Sequence, residues 1–233
     1  MIEIEHKGPE KLLLGVIHAA GLDPLAHVAP LETRLGTLLE QRAKGLDADE
    51  DARRARIRDV FRNGSYKPTG RAKPASEYLV RAAAEGTFPR INTLVDACNT
   101  ASLAWLVPIS ILDVGRAGTR RFSVRLGRED ESYVFNSAGQ EIQLKDLIVG
   151  CADDRPVVNA VKDSMDTKTT KDTAEVLVLV YGLNEPGASD TVRACCEEFA
   201  SFLEMAGARA CSAFRVVEPG GTVRVEAAYG GSD

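Results

Sequence analysis

The sequence predicts an α+β fold, in which layered β-sheets pack against flanking helices. Three observations lead to this fold class. Helical periodicity dominates the chain up to Pro108. Short β-rich segments, separated by turn residues such as glycine, asparagine and aspartate, dominate the part that follows. One amphipathic helix over 189–205 interrupts those strands, and this mixture favours helices and sheets in separate layers.

Helices account for most of the first half of the chain. Residues 12–19 form a continuous apolar run that is typical of a buried strand. Helices are then predicted over 31–39, 47–62 and 77–85, with Ser76 as the N-cap of the last one. A fourth helix follows and carries the most informative pattern of the sequence.

The second half is predicted to consist mainly of strands. The last of them before the 189–205 helix is the most apolar and is expected to lie in the interior of its sheet. The helix is expected to begin at Ser189 as its cap, and a terminal hairpin over 210–217 and 222–228 follows it. The predicted strands cover 109–114, 121–126, 133–135, 147–151, 157–161 and 175–182.

The composition is that of an ordinary soluble globular protein. Of the 233 residues, 44% are apolar and 27% are charged. No apolar run approaches the roughly 20 residues that are needed to span a bilayer. The acidic start over 1–5 lacks the pattern of a signal peptide. We therefore expect a cytoplasmic protein with no membrane partner.

Cysteine and histidine usage argues against a disulfide framework and a metal site. The five cysteines are odd in number and include no Cys-x-x-Cys pair, so buried thiols are expected. The three histidines all lie in the first 30 residues, and none stands at metal-ligand spacing from a cysteine or a carboxylate. The sequence predicts neither a metal nor a cofactor.

The basic residues are concentrated in one segment. Ten basic and three acidic residues give the segment 53–90 a net charge of +7, which leaves −12 on the rest of a chain whose net charge is −5. A basic segment on an acidic protein favours a phosphate-binding face. The alternative is a pair of solvated amphipathic helices.

The helix before Pro108 carries an unusual set of polar residues. An apolar stripe recurs with helical spacing from Leu94 to Trp105. Asn92, Asp96 and Asn99 recur at i, i+4 and i+7 on a second face of the same helix. Asparagine and aspartate are poor helix formers because they compete for backbone hydrogen bonds, so three of them in an apolar helix indicate a specific role.

This pattern resembles a known family. The run Pro-x-Ile-Asn-x-x-Val-Asp-x-x-Asn at 89–99, followed by Pro-x-x-x-x-Asp at 108–113, is similar to the editing domain of the phenylalanyl-tRNA synthetase β subunit. It is more similar to freestanding proteins built from that domain alone. The resemblance runs over about 61–182 and implies a layered β-rich core. The remainder, 1–60 and 183–233, is expected to pack on this core, so that 1–233 form a single tRNA-binding domain.

The resemblance also implies an activity and a partner. Freestanding editing proteins hydrolyse the ester of a mischarged aminoacyl-tRNA, which would be the partner here. Such an ester is labile, so a site needs mainly to position a water and stabilise the oxyanion. In the family, the loop that matches 163–173 lies over the pocket for the amino acid and the tRNA 3′ end.

Candidate site residues follow from this resemblance and from the polar residue types at these positions. Asp163 would act as a general base or bind the amino group of the substrate, while the neighbouring hydroxyls hold the water or the oxyanion. The catalytic candidates are Asp163, Ser164, Thr167 and Ser110. The pocket candidates are Asn92, Asp96, Asn99, Asp113, Met165 and Thr173. The tRNA-binding candidates are Arg62, Lys67, Arg71, Lys73, Arg90 and Lys168.

The chain departs from the synthetases at two of these positions. Ser110 stands where the synthetases have a histidine, and Met165 stands where they have a glutamate. The acid–base pair of the synthetases is therefore absent. A binding module for tRNA or a free amino acid, without turnover, is the main alternative to an enzyme. A scaffold with a vestigial pocket is a third possibility.

Overall fold

The structure is a computed structural model that describes residues 1–228, and within that range it contains eleven strands and six α-helices. The strands are β1 (Ile2–His6), β2 (Leu12–Ala20), β3 (Ile109–Asp113), β4 (Arg121–Leu126), β5 (Ser132–Val134), β6 (Glu141–Gln143), β7 (Ile148–Ala152), β8 (Arg155–Asn159), β9 (Glu175–Leu183), β10 (Cys211–Val217) and β11 (Thr222–Val225). The helices are α1 (Ala29–Arg42), α2 (Ala48–Val60), α3 (Ala75–Ala84), α4 (Thr93–Trp105), α5 (Val114–Ala117) and α6 (Ala188–Glu204). Residues 229–233, the end of the expected domain, lie outside the described residues.

Two sheets form the centre of the molecule, and the α+β prediction is confirmed. The first sheet has the order β11-β1-β4-β7-β8 and is mixed, because β1 and β4 run parallel. The second has the order β10-β2-β9-β3 and is antiparallel throughout. As predicted, the apolar strand β9 lies inside its sheet, between β2 and β3. Helix α6 packs on β2, β9 and β10, and α4 packs on α6 and β3.

A glycine allows the two sheets to approach each other. Gly150 lies in β7 of the first sheet, between Val124 and Val158 on its neighbouring strands. A Cβ atom at this position would come within 2.6 Å of Val158 Cγ2 and within 2.7 Å of Leu179 Cδ1, which belongs to β9 of the second sheet. The close packing between the sheets therefore depends on the missing side chain.

The polar start of α4 has a structural explanation. Asn92 is the N-cap rather than a residue of the helix, and its side chain accepts a hydrogen bond from the Val95 amide at 3.0 Å. Asp96 accepts hydrogen bonds from the Ile91 amide at 2.9 Å and from Arg90 Nε at 2.8 Å. Two of the three polar residues thus organise the entry into the helix.

Three sequence expectations are wrong. Ser76 lies inside α3 and Pro74 is its N-cap, while Ser189 lies inside α6, which begins after Gly187. In both cases the N-cap lies two residues before the predicted serine. The terminal hairpin does not form, because β10 pairs with β2 and β11 pairs with β1 in the other sheet.

The buried thiols are confirmed, since all five cysteines are buried and free. Two of the histidines are buried with both ring nitrogens in hydrogen bonds. His6 contacts the Leu12 carbonyl and the Gly8 amide, and His18 contacts Glu175 and the Ala227 amide. Across the described part of the chain, every helix is too short or too polar to span a bilayer.

Candidate active site

A chain of polar side chains lies where β3, β8 and β9 meet. Ser110 in β3 pairs across the sheet with Leu179, so it shares a face with Tyr181 two residues further along β9. The Tyr181 hydroxyl donates to Ser110 Oγ at 3.2 Å, and Ser110 Oγ donates to Asp163 Oδ1 at 2.8 Å. Ser110 and Tyr181 are fully buried, so the two strands present Asp163 with a fixed hydrogen-bond donor.

Asp163 has an unusual ionisation. Burial of its carboxyl group raises its pKa to about 7, although hydrogen bonds from Ser110 and from the Asn159 amide act in the opposite direction. Desolvation dominates because the charged form loses more hydration than these donors restore. A carboxyl with this pKa is only partly ionised at neutral pH and is suited to accept and release a proton.

Two residues that the sequence analysis missed shape the Asp163 loop. Asn159 Oδ1 accepts hydrogen bonds from the Val161 amide at 2.7 Å and the Lys162 amide at 2.9 Å. Its Nδ2 donates to the Tyr133 hydroxyl at 2.6 Å, which in turn donates to the Lys162 carbonyl at 2.9 Å. An asparagine at the end of a strand is a turn-forming residue, and this was the available indication in the sequence.

The predicted hydroxyls of the 163–173 loop are buried and already engaged. Ser164 Oγ accepts from the Asp166 amide at 3.2 Å and so caps the short 3₁₀ turn Met165–Thr167. Thr167 Oγ1 donates to the Val157 carbonyl at 3.3 Å. The Thr167 side chain and the Ser164 backbone amide, which donates to the same Val157 carbonyl at 3.0 Å, hold the loop against β8.

Asp113 and Thr173 form a second buried contact at the other end of the loop. Thr173 Oγ1 donates to Asp113 Oδ2 at 2.6 Å, and Asp113 Oδ1 caps α5 by accepting from the Arg116 amide at 3.0 Å. The Arg116 side chain, which the sequence analysis did not single out, donates to the Met165 carbonyl at 3.1 Å. These bonds tie the whole loop to the end of β3.

Asn99 is the pocket candidate on α4 that retains free hydrogen-bonding groups. It is half-buried, and its amide has no side-chain hydrogen bond with any residue in 1–228. By contrast, Asn92 and Asp96 are engaged at the start of the helix. Asn99 can therefore contact a ligand without breaking a contact of the fold.

The structure separates the predicted tRNA-binding residues into two groups. Lys67, Arg71 and Lys73 lie in the segment before α3, and the latter two line an open groove. The other three are held elsewhere. Arg62 pairs with Asp59, Arg90 pairs with Asp96 and Glu32, and Lys168 Nζ donates to the Phe135 carbonyl.

Together, the fold and the site define an α+β domain whose polar centre lies between two sheets, close to a basic groove. The sequence matches the B3/4 domain over residues 67–196, more than half of the chain. The protein therefore belongs to the B3/4 domain family, which is the editing-domain family of the phenylalanyl-tRNA synthetase β subunit.

Among solved structures, the chain is similar to an N-terminal fragment of the phenylalanyl-tRNA synthetase β-subunit from Pyrococcus horikoshii. The sequence identity is 12% and the TM-score is 0.41, over 86% of this chain and 46% of that fragment. The chain thus spans less than half of the length of the fragment. No curated protein matches the sequence.

Proposed function

We propose that this chain is a trans-editing aminoacyl-tRNA deacylase, which hydrolyses the ester of tRNA mischarged by a separate synthetase. The observation that carries the proposal is Asp163. Its carboxyl group is desolvated, receives a hydrogen bond from Ser110 and has a pKa of about 7. It also lies in the loop that corresponds, in the family, to the cover of the substrate pocket.

The proposed chemistry needs one base and a positioned water. The ionised form of Asp163 accepts a proton from a water as that water attacks the ester carbonyl. Asp163 then returns the proton to the ribose oxygen of the terminal adenosine as the ester C–O bond breaks, which releases the amino acid and the uncharged tRNA. Ser110 and Tyr181 position the carboxylate, which compensates for the absent histidine of the synthetases. Asn99 supplies amide groups that can orient the terminal adenosine or the aminoacyl group. Positioning makes up most of the catalysis because the ester is already reactive.

A second candidate function is a binding module without turnover. The observation that favours it is the state of Ser164 and Thr167, whose hydroxyls are both buried and engaged with the backbone. The Thr167 hydroxyl already donates to the Val157 carbonyl, and the Ser164 hydroxyl, which accepts from the Asp166 amide, is only 1% exposed. Burial therefore keeps both hydroxyls away from an oxyanion in this conformation.

Deacylation of a panel of mischarged tRNAs separates the two functions. The purified chain is incubated with each species, and the aminoacyl ester is followed over time against a reaction without protein. Accelerated hydrolysis of one or a few species is expected and would name the amino acid. Retention of tRNA on the protein with no acceleration of hydrolysis for any species would instead support the binding module.

A further inference from the structure

An open groove runs along the whole of α3 and the segment just before it. It has a volume of about 860 Å³ and lies between the segment 70–84 and residues 161–162. We refer to it as the α3 groove. Its lining contains five basic residues and one acidic residue, namely Arg54, Arg71, Lys73, Arg81, Lys162 and Glu77.

Apart from Arg54, which pairs with Asp51 at 2.5 Å, the basic residues of the α3 groove are weakly compensated. Arg71 is exposed and makes no ion pair with any residue in 1–228. Lys73 and Arg81 make only long contacts with carboxylates, at 3.8 Å to Glu77 and 3.9 Å to Glu85. Glu77 is itself buried and is already neutralised, mainly by Arg58. The groove is therefore positive on a chain of net charge −5 and attracts polyanions.

An exposed aromatic ring distinguishes this groove from a simple anion site. Tyr78, on the first turn and a half of α3, is 51% exposed and lines the groove. The guanidinium carbon of Arg81 lies 5.6 Å from the centre of its ring. An exposed ring beside cations is the combination that binds single-stranded nucleic acids, since bases stack on the ring while phosphates contact the cations. An acidic peptide would use the cations but not the ring.

The groove leads to the candidate active site. Its far end is formed by Lys162, the residue that immediately precedes Asp163. Lys162 Nζ lies 3.9 Å from the centre of the Phe135 ring, and Lys168 donates to the Phe135 carbonyl. A strand that follows the groove would therefore arrive with its end beside the Asp163 loop.

We propose that the α3 groove binds a short single-stranded RNA segment, with phosphates on Arg71, Lys73 and Lys162 and a base stacked on Tyr78. The identification of that RNA as the segment that leads to the charged end of tRNA rests on the proposed deacylase function. The binding of single-stranded RNA by the groove stands on the groove alone.

Fluorescence anisotropy of the full chain with an end-labelled single-stranded RNA hexamer tests the groove. Tyr78→Ser is expected to weaken binding about tenfold or more, whereas Tyr78→Phe keeps the stacking surface and binds like the wild type. Arg71→Ala is expected to weaken binding and to reduce its salt dependence. Arg215→Ala removes an exposed cation that lies outside the α3 groove, and it is the matched control that leaves affinity unchanged.

Several results would overturn the inference. These are failure of the wild type to bind the hexamer at low salt, unchanged affinity in both Tyr78→Ser and Arg71→Ala, or equal competition by a hexaglutamate peptide. Circular dichroism of each variant verifies that it is folded. Because the hexamer carries no amino acid, its binding is independent of deacylation. Hexamer binding without turnover on any tRNA would contradict the proposed deacylase function but would still support RNA binding by the α3 groove.

Discussion

Asp163 illustrates how one residue acquires its properties from its surroundings. Its side chain meets a hydroxyl from β3 and a backbone amide from the end of β8, yet the loss of hydration still determines its pKa. The family resemblance indicated both Asp163 and Ser110 as candidates. Their contact could not be predicted, because it depends on the register of β3 on β9 and on the turn that Asn159 forms.

The raised pKa of Asp163 predicts a pH dependence of stability. The folded protein holds the Asp163 proton up to about pH 7, whereas the unfolded chain releases it near pH 4. The free energy of unfolding therefore falls as the pH rises from about 4 to about 7. The decrease is at most about 4 kcal/mol, and less where solvent reaches the half-buried residue. Urea titrations at several pH values measure it. If the difference between the wild type and Asp163→Asn were constant over this range, the assignment would be incorrect.

Ser110 is expected to act as a positioning residue through Asp163. Ser110→Ala removes a hydrogen bond that lowers the pKa of Asp163, so that pKa should rise further. The deacylation rate of the variant should then reach its plateau at a higher pH than that of the wild type. The pH–rate profile measures this shift. A lower rate with an unshifted profile would indicate a purely structural role for Ser110.

At the scale of elements, the sequence predicted the position of α4 but did not predict that two of its polar residues organise its N-terminus. Its position and apolar stripe are as predicted, with Leu94, Cys98 and Ala101 buried. Its polar residues, however, serve mainly its own N-terminus, and only Asn99 remains available to a ligand. By contrast, β1 was not predicted at all. Its partners lie about 120 and 220 residues away in β4 and β11. The pattern of a short segment does not indicate a partner that is so distant in the sequence.

The cap role of Asn92 gives a prediction at this scale. Asn92→Ala should lower the free energy of unfolding by about 1 kcal/mol, because the Val95 amide loses its acceptor. Asn92→Ser, which retains an acceptor of suitable length, should restore most of the loss. Urea denaturation of the three proteins compares them. Equal stability of the alanine and serine variants would show that the loss is unrelated to capping.

At the scale of the whole molecule, the two sheets and the helices α4 and α6 share a continuous apolar core that contains residues from Ile2 to Val225. The candidate site lies at the boundary between the sheets. A sequence pattern indicates which residues are buried, but it does not show how closely two sheets approach. The hairpin expected at the C-terminal end did not form, since its two strands pair with β2 and β1 in different sheets, and local sequence does not show which distant strand is available.

The approach of the sheets at Gly150 can be tested directly. Gly150→Ala places a methyl group against Val158 and Leu179, and it should destabilise the protein by about 1–3 kcal/mol. Gly36→Ala is the matched control. Gly36 is an exposed position inside α1 where a Cβ meets nothing within 4 Å, so alanine should stabilise the helix by about 0.5–1 kcal/mol. Thermal unfolding of both variants provides the comparison. A neutral or stabilising effect of Gly150→Ala would contradict the packing argument.

The central claim is that Asp163 is the base of a deacylase. The most direct measurement is the single-turnover deacylation rate of the preferred mischarged tRNA with wild type, Asp163→Asn and Asp172→Asn. Asp172 lies in the same loop and is exposed, and within the described residues its carboxylate pairs only with Lys171 while its backbone amide donates to Thr170 Oγ1. We predict a loss of about 100-fold or more for Asp163→Asn with tRNA binding retained, and an unchanged rate for Asp172→Asn. Full activity of Asp163→Asn would contradict the account.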